Sequence, residues 1–110
     1  MEYLVTMTTH VPGGTSEQEV EEVRSREAER SSQLSAEGHL LRLWRPPSQA
    51  GQRRTLGLFS ADDPEQLEGV LASMPLRVWR TDEVMEVWPH PNDPGLARSK
   101  APCQGTGSST

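Results

Sequence analysis

The sequence predicts an α+β domain: a four-stranded antiparallel sheet with two helices on one face. Two observations carry that expectation. Segments of alternating and of helical apolar spacing follow one another in the order β-α-β-β-α-β. The two central strands are also separated by a connection too short for anything but a hairpin, while each outer strand is reached through a helix.

The first strand is read over Glu2 to Val11, where β-branched and aromatic residues alternate so that Tyr3, Val5, Met7, Thr9 and Val11 share one face. Pro12-Gly13-Gly14 breaks it. Thr15 to Gly38 follows as an amphipathic helix, with Thr15 or Ser16 to cap it, Glu17 and Glu19 in its electropositive first turn and Gly38 to end it. His39 begins a second strand that Pro46-Pro47 stops, with Leu41 and Leu43 facing one way and Leu40, Arg42 and Trp44 the other. After a turn over residues 48–52, Arg53 to Ser60 forms the third strand, in which Gly57 implies a bulge or the close approach of another group. Asp62-Asp63-Pro64 is a cap followed by proline at the first helical position, opening a helix to Met74 with Leu67, Val70, Leu71 and Met74 at helical spacing. Arg77 to Trp88 reads as the fourth strand, irregular near Thr81-Asp82. The domain is expected over residues 1–94, with a disordered tail from Gly95 onward. The order is that of the ferredoxin-like fold, and its helix-free sheet face would carry apolar side chains in need of cover, so self-association is expected.

Composition narrows the function. At 33% hydrophobic with 9 prolines the chain is lean, with room for one modest core. A net charge of −5 and a lone lysine, Lys100, argue against nucleic acid as a partner, because phosphate binding needs clustered cations. No apolar run approaches the roughly 18 residues a membrane span needs, so a cytoplasmic protein is expected. The one cysteine, Cys103, can form no disulfide within the chain, and His10, His39 and His90 have no metal-like spacing; no cofactor or metal is expected.

One residue breaks the pattern of the long helix. Val20, Val23, Ser31 and Leu34 fall on its inward stripe, and Glu27 lies in the middle of it. A carboxylate facing a core must be paired, protonated or put to use. Two readings stay open: a carboxylate bound to one of the chain's many arginines, or a desolvated general base.

The residues also carry a resemblance. The opening VTMTTHVP, the segment RSREAERSSQLSAEGHLLRLWR with Glu27, Glu29, Leu34, Glu37, Gly38, Leu43, Trp44 and Arg45 in register, the FSADDPEQLEGVLASMPL helix and the closing Glu83-Val84 and His90-Pro91 resemble the muconolactone Δ-isomerase family from about Tyr3 to Pro91. The resemblance implies a ferredoxin-like chain that forms a dimeric α+β barrel and larger rings. It implies a cofactor-free isomerase that shifts a double bond in a lactone, taking and returning one proton through Glu27. Arg42 or Arg45 would hold the substrate carboxylate, Trp44 and Trp79 would wall the pocket, and His10 and His39 could join it. Departures fall near the site: Ala28 stands where the family has lysine, Trp79 where tyrosine is common, and the SQAGQRR hairpin is longer. Another enzyme on the same fold (a dehalogenase, cyclase or cofactor-free oxygenase) and a non-catalytic small-molecule-binding subunit are the competing readings.

Overall fold

A computed structural model describes residues 1–47 and 53–95; the turn at 48–52 and the tail from 96, with Lys100 and Cys103, lie outside the described residues. The elements run β1 (Glu2–Thr9), α1 (Glu17–Ala36), β2 (Leu40–Trp44), β3 (Arg53–Ser60), α2 (Pro64–Ala72), a 3-10 turn (Pro75–Trp79) and β4 (Arg80–Val87). The four strands form one antiparallel sheet in the order β2-β3-β1-β4, the expected ferredoxin-like topology.

The helix ends are set by local chemistry. Ser16 Oγ accepts the Glu19 N–H at 3.1 Å. At the other end Gly38, at φ 86°, reverses the chain, so that the N–H groups of Gly38 and His39 donate to the carbonyls of Ser35 and Leu34 and satisfy two orphan acceptors. Asp63 caps α2 through a 2.8 Å bond from the Gln66 N–H, and Gln66 Oε1 accepts the Asp62 N–H in return.

Tyr3, Val5 and Met7 of β1 project toward the helices, where they meet Phe59 of β3, Leu34 of α1, and Leu67 and Leu71 of α2, all buried. Burial raises the Tyr3 phenol above its ordinary pKa, with Glu86 and Asp63 adding to the effect, so the ring stays neutral in the core.

Two expectations are corrected. Strand β2 does not alternate from its start: Leu40 pairs with Phe59 and Arg42 with Leu58, a register shift that leaves Leu41 as an extra residue. The bulge returns Leu40 to the helix-covered face beside Leu43 and leaves Arg42 and Trp44 on the bare one. Arg77 to Trp79 is likewise not strand; Pro75 starts a 3-10 turn there, and β4 begins at Arg80 and pairs regularly through Thr81 and Asp82. The bare face presents Leu4, Leu56, Leu58 and Val87 half-buried, with Trp44 and Met85 exposed.

Gly57 is a close approach rather than a bulge: a Cβ there would lie 2.6 Å from Phe59 Cε1 and 2.9 Å from Met7 Cε. Gly57→Ala is expected to cost about 1–3 kcal/mol by overpacking. Gly69→Ala, at a helical position with nothing within 4 Å of the added methyl, should gain about 0.5–1 kcal/mol. Urea unfolding of the two variants side by side checks both signs.

Candidate functional site

Glu27 faces inward as its helical position requires, with 15% of its side chain exposed. Its Oε1 accepts the backbone N–H of Leu76 at 3.0 Å. Leu76 lies in the first turn of the 3-10 segment, where an amide has no partner within its own helix, and the residue before that turn, Met74, supplies no side-chain cap. A carboxylate from α1 therefore does the capping from outside. Oε2 lies 3.6 Å from Arg80 Nη1.

Arg80 is the anchor of this region. Its side chain is 2% exposed and its guanidinium is held bidentately by Asp82, Nε to Oδ1 at 2.6 Å and Nη2 to Oδ2 at 3.0 Å. Nη2 also donates to the Leu71 carbonyl at 3.3 Å at the end of α2. Asp82 is shared with Arg77, which in turn pairs with Glu68. The chain of charges thus runs Glu68, Arg77, Asp82, Arg80, Glu27, and it joins α2, the 3-10 turn, β4 and α1.

Beside this network opens a cavity of about 560 Å³, within the range of small-molecule sites. Its walls come from the end of β1 (Thr9, Val11), the first half of α1 (Val20, Arg24), the facing ends of β2 and β3 (Arg45, Arg53, Arg54, Thr55) and the 3-10 turn (Leu76, Trp79). Leu76 links the two features: its amide holds Glu27 and the residue lines the cavity.

The expected site residues separate into three groups. Arg45 and Trp79 line the cavity; Glu27 does not, but it accepts the amide of Leu76, which does. Arg42 and Trp44 lie on the bare sheet face, the guanidinium 5.1 Å from the indole centroid, because the bulge at Leu41 sets their direction. His39 is at the opposite end of the sheet, its Nδ1 2.9 Å from the Ser60 carbonyl oxygen. His10 is exposed and tied only through its backbone, whose N–H donates to the Trp79 carbonyl at 2.8 Å. Sequence reasoning passed over Arg24, Arg53 and Arg54. Only the three-dimensional meeting of the facing ends of β2 and β3 with α1 shows what they surround. No group of three or more His, Cys, Asp or Glu side chains among the described residues is arranged to hold a metal.

Because Asp82 is buried with Arg80, removing the cation alone should be costly. Arg80→Met is expected to destabilise by about 3–5 kcal/mol, and pairing it with Asp82→Leu should restore a good part of the loss. Denaturant titration of the single and double variants measures it.

Comparison with known proteins bears on what this arrangement is. The sequence model of the muconolactone delta-isomerase family matches residues 1–93. The muconolactone Delta-isomerase of Acinetobacter baylyi is 27% identical over 92 residues, covering 84% of this chain and 93% of that protein. A crystal structure of muconolactone isomerase superposes with a TM-score of 0.75 at 25% identity, over 84% of this chain and 93% of the other. The 5-chloro-2-hydroxyhydroquinone dehydrochlorinase of Burkholderia phenoliruptrix, solved with 2,5-dihydroxybenzoquinone, shares the fold at a TM-score of 0.54 and 8% identity, over 79% and 95% of the two chains. With the family's sequence pattern spanning all four strands and both helices, the chain belongs to the muconolactone delta-isomerase family.

Proposed function

We propose that this protein is a cofactor-independent isomerase that moves a carbon–carbon double bond within an acidic lactone, with Glu27 as the single proton carrier. The observation that carries the reading is the position of Glu27, an inward carboxylate hydrogen-bonded to the amide of Leu76, a residue that lines the cavity, in a chain of the isomerase family. A double-bond shift of this kind takes a proton from one ring carbon and returns it to another, so one group can serve first as base and then as acid. Glu27 Oε1 is committed to the Leu76 amide, which fixes the carboxylate's orientation; Oε2, weakly held by Arg80 at 3.6 Å, is the oxygen free to exchange a proton. The charge that develops on the lactone as the proton leaves is delocalised toward its carbonyl, and the cavity's guanidinium groups are the cations at hand to stabilise it. Arg45 serves to hold the substrate's carboxylate and Trp79 to wall the ring from water.

Glu27→Gln keeps the Leu76 hydrogen bond but cannot accept a proton. Turnover should fall by about 10²- to 10⁴-fold, while the melting temperature changes little because Arg80 retains Asp82. In deuterium oxide the product of a butenolide acid should keep a measurable share of the substrate-derived proton at the reprotonated carbon, read by NMR, because one shielded group carries it; complete solvent labelling would point to a separate acid. A well-folded Glu27→Gln protein with undiminished turnover would end this assignment.

The same reading includes assembly. The bare sheet face, with Leu4, Leu56, Leu58, Met85 and Trp44, is apolar enough to favour covering by a second copy. Sedimentation at micromolar concentration is expected to show a dimer or larger ring, and Met85→Asp should shift it toward monomer.

A further inference from the structure

Four of the ten residues around the cavity are arginines: Arg24, Arg45, Arg53 and Arg54. No aspartate or glutamate lines it. The chain as a whole carries −5, so this is a local reversal of charge rather than a sample of the surface. Among the described residues none of the four makes an ion pair; the pairs formed involve Arg77 and Arg80. The segments outside the described residues cannot supply the missing acids either, since 48–52 and 96–110 contain no Asp or Glu. Glu27 is already engaged by the Leu76 amide and Arg80.

Guanidinium groups gathered around one concavity repel one another, and the repulsion grows as a ligand displaces water from between them. A single carboxylate accepts one bidentate guanidinium fork well and leaves the other cations uncompensated. We infer that the cavity takes a substrate bearing at least two acidic groups, a di- or tricarboxylic lactone or its ring-opened equivalent, rather than a mono-acid. The inference rests on the cavity being the substrate site of the proposed isomerase. It places the reaction after a step that forms a lactone from a polycarboxylic precursor. It also assigns substrate-binding roles to Arg24 and Arg53 alongside Arg45; Arg54, which alternates with Leu56 and Leu58 toward the bare sheet face, is given none.

Benzoate, isophthalate and benzene-1,3,5-tricarboxylate form a probe series with one ring and one, two and three carboxylates. Calorimetric titration of the full chain at low salt is expected to show affinity rising by about tenfold with each added carboxylate. Arg24→Ala and Arg53→Ala should each remove about one such step from isophthalate and less from benzoate. Arg26→Ala, on an exposed part of α1 away from the cavity, should leave the series intact. Equal affinities along the series, no binding of any probe, or a series that survives Arg24→Ala/Arg53→Ala together would overturn the inference. The titration is repeated on Glu27→Gln, which needs no turnover. A charge-dependent series with no lactone isomerised would sink the proton-transfer reading and leave the polyanion site standing. Lactone turnover through Glu27 with a flat series would do the reverse.

Discussion

The buried Arg80–Asp82 pair is the constraint on which the rest of this structure depends. A guanidinium that is 2% exposed has lost nearly all its water, and such a group is tolerated only when its donors are met. Asp82 takes two of them, the Leu71 carbonyl takes part of a third, and Glu27 lies opposite the remaining nitrogen. Each partner belongs to a different element. Satisfying one cation therefore sets where α2 ends, where β4 begins and how α1 lies across them. Apolar packing alone would specify this less sharply, because α1 contributes only Leu34 to the fully buried set. With so few side chains to interlock, the helix is located by charge and hydrogen bonds.

That arrangement changes how Glu27 is understood. Capping a 3-10 turn and lying beside Arg80 are structural tasks, and a carboxylate doing them could end its role there. The two oxygens are not equally engaged, however: one makes a 3.0 Å amide bond and the other a 3.6 Å ion contact. A base must be held still and yet keep one lone pair available, and an unequal grip achieves both. Structural and chemical duties are compatible because they fall on different atoms.

Most of the fold was legible in the sequence because its signals are local. Alternation in Tyr3-Val5-Met7, the Ser16 and Asp63-Pro64 caps, and the glycine at position 38 each act within a few residues. The misreadings have one cause. At Leu41 a single inserted residue flips every later side chain of β2, and alternation carries no mark of such an insertion. At Arg77–Trp79 a Val-Trp pair suggested strand, although Pro75 offered a helix-start signal; the missing cap came from Glu27, 49 residues earlier in sequence. The inward position of Glu27 was readable from helical period alone. The gathering of Arg24, Arg45 and Arg53 was not, since they come from α1 and from the facing ends of β2 and β3, which meet only in the folded chain.

The division between these two kinds of residue has a consequence for how the site can change. Glu27 comes from the middle of α1 and is held by a network that reaches the 3-10 turn and β4. The cavity arginines come from α1 nearer its start and from the facing ends of β2 and β3, on either side of residues 48–52. Substitutions at those strand ends meet solvent on one side and disturb little packing, so they alter what is bound at small cost in stability. Substitutions around Glu27 disturb a buried charge network and are expensive. The geometry thus lets the cavity arginines vary while Glu27 stays in place. Ala28 adjoins Glu27 in the sequence, and Trp79 and Arg53 line the cavity. If the proposed proton transfer holds, a chain built this way keeps that step while the charge it recognises changes.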